Sequence, residues 1–176
     1  MAKRVYNVLF LCTHNSARSV MAEALLNTIG LGRFQAFSAG SQASGKVNPF
    51  AIEKAATLGY LTDQLRSKNW DEFALKTAPH MDMIITVCDN AAGEVCPVWP
   101  GHPATAHWGF ADPAAVSGSD TEKRAAFDKV FHQIRHRVQL LANLPDEKLA
   151  HLSLSLSLSQ ELKNIALAEL KDPAAG

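Results

Sequence analysis

Cys12 and Arg18 bracket a short polar stretch, Cys12-Thr13-His14-Asn15-Ser16-Ala17-Arg18-Ser19, set between two apolar runs. A thiol, a guanidinium and small polar residues in one loop are the parts of an oxyanion site with a nucleophile at its floor. The loop amides and the helix N-terminus that follows them form a nest of donors suited to a tetrahedral anion. The same amides, the helix dipole and the Arg18 charge are expected to favour the Cys12 thiolate over the thiol. Such a site points to covalent chemistry on phosphate or a phosphate-like ion. The plainer alternative is that Cys12 is a small hydrophobe at the end of a buried strand and that Cys-X5-Arg is chance. Position decides against it: Asn15 inside the loop tolerates a left-handed backbone, and Ser19 follows Arg18 directly. Arg18 offers a planar fork to two anion oxygens. Ser19 is expected to hydrogen-bond the Cys12 sulfur or to cap the helix.

Two more thiols, Cys88 and Cys96, close the ends of a stretch rich in small residues. That suits a segment that moves better than a rigid core, and thiol–disulfide exchange needs sulfurs that approach. Buried spectator thiols are the alternative. A zinc site from Cys88, Cys96, His102 and His107 lacks the paired-ligand spacing such sites use. Asp112-Pro113 places a carboxylate in a loop, where it serves a turn or reaches over the anion site. His132 and His136 lie one helical turn apart without a third ligand and read as a solvated face.

The elements that must position these groups follow from periodicity. Val8-Leu9-Phe10-Leu11 is a strand, and Val20 to Leu26 continues as a helix with Gly30 at its end. Phe34 to Phe37 is a second strand, closed by Ser38-Ala39-Gly40. Asn48-Pro49 starts a helix that Gly59 stops. Ser67 to Leu75 predicts a short helix with Trp70 and Phe73 inward. Met83 to Val87 is a strand covered on both faces, and Ala104 to Trp108 a fourth. Ser119-Asp120-Thr121-Glu122 is a capping box opening a long helix with Phe127, Val130, Phe131, Ile134, Val138 and Leu141 on one stripe. Leu152 to Leu158 alternates with period two and reads as extended, before a final helix over Ser159 to Leu170. Strands alternating with helices predict an α/β fold, a three-layer doubly wound sandwich around a four-stranded parallel sheet. Ligands bind such sheets outside the carboxyl ends of the strands, so Cys12 and Cys88 should face one crevice.

At 176 residues the chain suits one domain, residues 1–145, with a C-terminal extension, 146–176, packed on it. Lys+Arg and Asp+Glu balance at 17 each, which gives no support to a nucleic-acid partner. No stretch reaches the apolar length of a membrane span. The start, Met1 to Arg4 before a brief apolar run, lacks a signal-peptide cleavage site. Three Cys in such a chain favour reactive thiols over a disulfide framework, and a cytoplasmic monomer is expected.

Val8 to Leu26 resembles the phosphate-binding loop and first helix of the low-molecular-weight protein tyrosine phosphatase superfamily. Asn15-Ser16-Ala17-Arg18-Ser19 with Met21-Ala22-Glu23 is more similar to its arsenate reductase branch, and the likeness extends over most of Val5 to Leu144. The resemblance implies that Thr13 to Ser19 bind the oxyanion, and that Cys12 attacks arsenate or a phosphate ester. It implies that Asp112 donates a proton to the departing oxygen, and that Cys88 and Cys96 carry a disulfide outward. An external thiol reductant, thioredoxin or glutathione with glutaredoxin, would close the cycle, with no tightly bound cofactor. A phosphotyrosine phosphatase is the competing activity, though Tyr6 and Tyr60 alone offer few aromatic platforms. A binding module without chemistry is a third class. Some reductases of this branch hold potassium through side chains matching Asn15, Glu23 and Ser38 plus an Asp; here Lys68 follows Ser67. His14 stands where Gly is common, and Ala17 where many members carry a second loop Cys.

Overall fold

The computed structural model describes residues 4–30, 32–88, 103–151, 160 and 162–166. Four parallel strands form the sheet: β1 (Tyr6–Cys12), β2 (Phe34–Gly40), β3 (Met83–Thr86) and β4 (Ala104–His107), in spatial order β2-β1-β3-β4. Between and after them run α1 (Arg18–Ile29), α2 (Pro49–Ala56), α3 (Asp71–Ala74), α4 (Asp120–Ala142) and α5 (Asp146–His151). The expected three-layer arrangement is present. Alternation along β1 divides the core: Val8, Phe10 and Cys12 pack toward α1 and α4, whereas Leu9 and Leu11 meet Trp70, Phe73 and Met81 on the other face.

Local chemistry explains most element ends. Asn48 accepts the Phe50 N–H at 2.9 Å and starts α2, and Ser119 accepts the Glu122 N–H at 3.2 Å and starts α4. The six apolar residues of the α4 stripe are all buried. β2 runs three residues further than Phe37, because it pairs with β1 along its whole length, Tyr6 with Phe34 through Cys12 with Gly40.

One helix is shorter than its sequence predicts. Ser67 to Leu75 is helical only at Asp71–Ala74, although Trp70 and Phe73 are buried as expected. The preceding backbone is used elsewhere: the Lys68 carbonyl accepts from Gly40 N–H and Trp70 N–H donates to the Gly40 carbonyl, both at 2.9 Å. A strand end has captured Lys68 to Trp70 as a short parallel bridge. The alternating Leu/Ser tract and Cys96 lie outside the described residues. Of the final helix, residues 162–166 are described: Leu162 and Ile165 are buried, and Trp108 Nε1 donates to the Leu162 carbonyl at 3.0 Å. Among the described residues no helix is long and apolar enough to cross a membrane.

Candidate active site

The loop after β1 is held open by its own carbonyls. Gln42 N–H donates to the Thr13 carbonyl (2.9 Å), Ser44 N–H to that of His14 (3.0 Å) and Asn48 N–H to that of Ser16 (2.8 Å). In a trans peptide the N–H points opposite to the C=O, and among the described residues no cis bond is present. The amides of His14, Asn15 and Ala17 therefore turn away from the segment 42–48 that holds the carbonyls. Asn15 takes φ 49°, as its residue type allows. Its side chain is buried and fully used: Nδ2 donates to Ser19 Oγ at 2.8 Å, and Oδ1 accepts the Lys68 N–H at 2.9 Å. Gly40 is required by close approach, since a Cβ there would stand 2.4 Å from the Thr13 carbonyl oxygen and 2.8 Å from that of Cys12. Reading the sequence did not single out Gly40; its signal was only a small residue ending a strand.

The parallel pairing of β1 with β3 brings two thiols to one end of the sheet. Val87 N–H donates to the Leu11 carbonyl at 2.8 Å, and Cys88 Sγ accepts the Thr13 N–H at 3.2 Å. The Cys88 thiol also hydrogen-bonds the Cys12 side chain. Both side chains are buried, 5% and 2% exposed. This neighbour changes the expected charge state. The hydrogen bond with Cys88 and burial raise the Cys12 pKa far above that of a free thiol, outweighing the lowering by Arg18 and by the Thr13 N–H. This neighbour thus shifts Cys12 toward the thiol, the opposite direction to the one that loop chemistry alone predicts. Ser19 Oγ accepts from Asn15 Nδ2.

Arg18 opens α1 and leans across the mouth. Its Nη1 donates to the Phe110 carbonyl at 2.9 Å, and Nη2 lies 3.7 Å from Asp112 Oδ2. Its Nε is buried with no hydrogen-bond partner among the described residues. A donor of that kind is costly to leave unsatisfied and suits an anion seated in the loop. Asp112 Oδ1 accepts the Ala114 N–H at 3.0 Å and starts a short 3-10 turn, while its other oxygen faces Arg18. Trp108 and Phe110 are core, as expected. His14 is exposed, as are His132 and His136.

A residue missed by sequence reading supports this side of the mouth. Arg137, on α4, is 5% exposed; it donates to the Gly109 carbonyl at 3.3 Å, and its guanidinium lies 4.7 Å over the Phe110 ring. The available signal was an arginine beside Val138 and Ile134 on an otherwise apolar stripe.

A nucleophile loop between β1 and α1, in a parallel sheet of this order, defines a class. The chain belongs to the low-molecular-weight phosphotyrosine protein phosphatase family, whose model matches residues 7–152. Within that family its similarity is to arsenate reductases. It is 38% identical over 142 residues to the arsenate reductase of Halalkalibacterium halodurans, covering 81% of this chain and 97% of that protein. It is 36% identical over 135 residues to that of Bacillus subtilis, covering 77% and 94%. The crystal structure of arsenate reductase from Archaeoglobus fulgidus superposes with a TM-score of 0.61 at 31% identity, covering 78% of this chain and 99% of that one.

Proposed function

We propose that this chain reduces arsenate to arsenite through Cys12, Cys88 and Cys96, with Thr13 to Ser19 as the oxyanion cradle. The observation that supports it most is the pair of thiols in hydrogen-bond contact at the floor of the loop. A hydrolase working through Cys12 alone has no use for the second.

Arsenate seated in the loop accepts from its amides and from Arg18. Cys12 sulfur bonds to arsenic, and one arsenate oxygen leaves as water, carrying the thiol proton. In this reading Asp112, beside Arg18, relays the thiol proton to that oxygen. Cys88 sulfur then attacks Cys12 sulfur. The S–As bond breaks with its electron pair on arsenic, so As(V) becomes As(III) and two thiols become one disulfide. Cys96 sulfur attacks Cys88 next, and Cys12 regains its thiol. An external thiol reductant of thioredoxin type, or glutathione with glutaredoxin, reduces the Cys88–Cys96 disulfide. A cytoplasmic setting, where thiols are kept reduced, suits the cycle. The Cys12 proton held by Cys88 fits this order of events, because it is consumed in making water rather than discarded beforehand.

Aryl-phosphate hydrolysis is the second reading, favoured by Asp112 facing Arg18 at the mouth. Cys88→Ser separates the two. Arsenate turnover with either reductant is expected to fall to background in Cys88→Ser, while hydrolysis of an aryl phosphate persists and Cys12→Ser abolishes both. Unchanged arsenate turnover in Cys88→Ser would overturn the relay.

A further inference from the structure

Behind the anion loop lies a second charged cluster that the proposed chemistry does not use. Glu23 on α1 and Lys68 beside the end of β2 are 7% and 8% exposed. Lys68 is tied at three points: its N–H donates to Asn15 Oδ1, its carbonyl accepts from Gly40, and its Nζ donates to the Arg66 carbonyl at 3.0 Å. Next to it, Ser67 Oγ donates to the His14 carbonyl at 3.0 Å. Two consecutive residues thus hold the loop at His14 and at Asn15. Glu23 and Lys68 line one cavity together with Tyr60, Arg66 and Glu72, and the Lys68 charge favours the Glu23 carboxylate against its burial. Arg66 is engaged at the rim by Glu72, with contacts of 3.0 and 2.7 Å, and the Tyr60 phenol also faces Glu23.

This is the place where the family resemblance implies potassium, and the residues present do not fit it. Asn15 Oδ1 accepts the Lys68 N–H, and in the cavity of Glu23, where a further anionic ligand would be needed, stands a lysine whose ammonium is tied to the Arg66 carbonyl. A second cation would meet like charge in a buried site. We propose that Lys68 is a positioning residue whose ammonium is the permanent counter-cation of Glu23, so that the anion loop keeps its shape with no free monovalent cation. The inference rests on Thr13 to Ser19 being the anion site.

The probe is inorganic phosphate, followed by calorimetry in potassium and in N-methylglucamine buffers of equal ionic strength. The native chain is expected to bind phosphate with the same affinity in both. Lys68→Met is expected to bind it about tenfold more weakly, the loss of one supporting polar contact. The Glu23 carboxyl, followed by carbon-13 NMR, is expected to titrate at higher pH in Lys68→Met than in the native chain. Native phosphate binding that depends on potassium overturns the inference and leaves the anion-loop reading standing; no phosphate binding in either buffer overturns that reading and the inference with it. A Glu23 midpoint unmoved by Lys68→Met also overturns it. Where Lys68→Met does not fold, the comparison of native protein in two salts still decides.

Discussion

Cys12 shows how a single neighbour changes a residue's chemistry. The loop amides and Arg18 lower its pKa, as loop chemistry requires, yet the thiol of Cys88 and burial outweigh them. The neighbour proposed as the resolving thiol thus also pushes Cys12 toward its protonated form. Arg137 acts at the same scale from the opposite side, gripping Gly109 and Phe110 just before Asp112. Arg137→Ala removes a buried cation stacked on an aromatic ring and a carbonyl's partner. It should lower stability by about 2 kcal/mol in urea unfolding. It should also reduce kcat for arsenate while leaving phosphate affinity unchanged, because it touches the Asp112 stretch and not the anion loop. A phosphate affinity that falls in step with kcat would refute that division.

At the scale of elements, α1 is unusual in being buried on every side from Ser19 to Leu26, with Glu23 included. Burial pushes the Glu23 carboxyl up to about 7, against pulls from Lys68, the Ser38 N–H and hydroxyl, and Arg66. The folded state therefore holds this proton more tightly than the unfolded chain does. Its contribution to stability is complete below pH 4.5 and is lost as pH rises to about 7. Relative to Glu23→Gln, which mimics the protonated group throughout, the native chain should lose on the order of 3 kcal/mol across that window and no more above it. Urea melts of both proteins at several pH values measure the difference; parallel curves would show that Glu23 does not carry it. The short α3 belongs here too. Its missing first turn was illegible because the competing partner of Lys68 and Trp70 is Gly40, distant in the chain and adjacent in space.

Across the whole molecule, one end of the sheet collects three of the groups that the proposed chemistry uses: Cys12 at the end of β1, Cys88 after β3 and the Asp112 loop after β4. That convergence follows from parallel strands, whose carboxyl ends share a side. The C-terminal residues 162–166 add to the core behind this end, where Leu162 is fully buried and its carbonyl receives the Trp108 indole N–H. Leu162→Ala should cost about 3 kcal/mol in thermal or urea unfolding, as deletion of a fully buried Leu side chain does. A loss near zero would mean that this segment does not hold Trp108 in place.

Strand, loop and helix around Cys12, the capped starts of α2 and α4, and the inward stripe of α4 were legible from residue order alone, because each is set by neighbours within about a turn or a strand length. The family could be read there as well, since its motif is contiguous. Only the folded chain decided that Cys88 and burial push Cys12 toward the thiol, that Ser67 and Lys68 brace the loop, that Gly40 leaves room for it and that Arg137 holds the Asp112 side. Each of those depends on groups brought together from distant parts of the chain, and burial, hydrogen bonding and charge act through space rather than along the backbone.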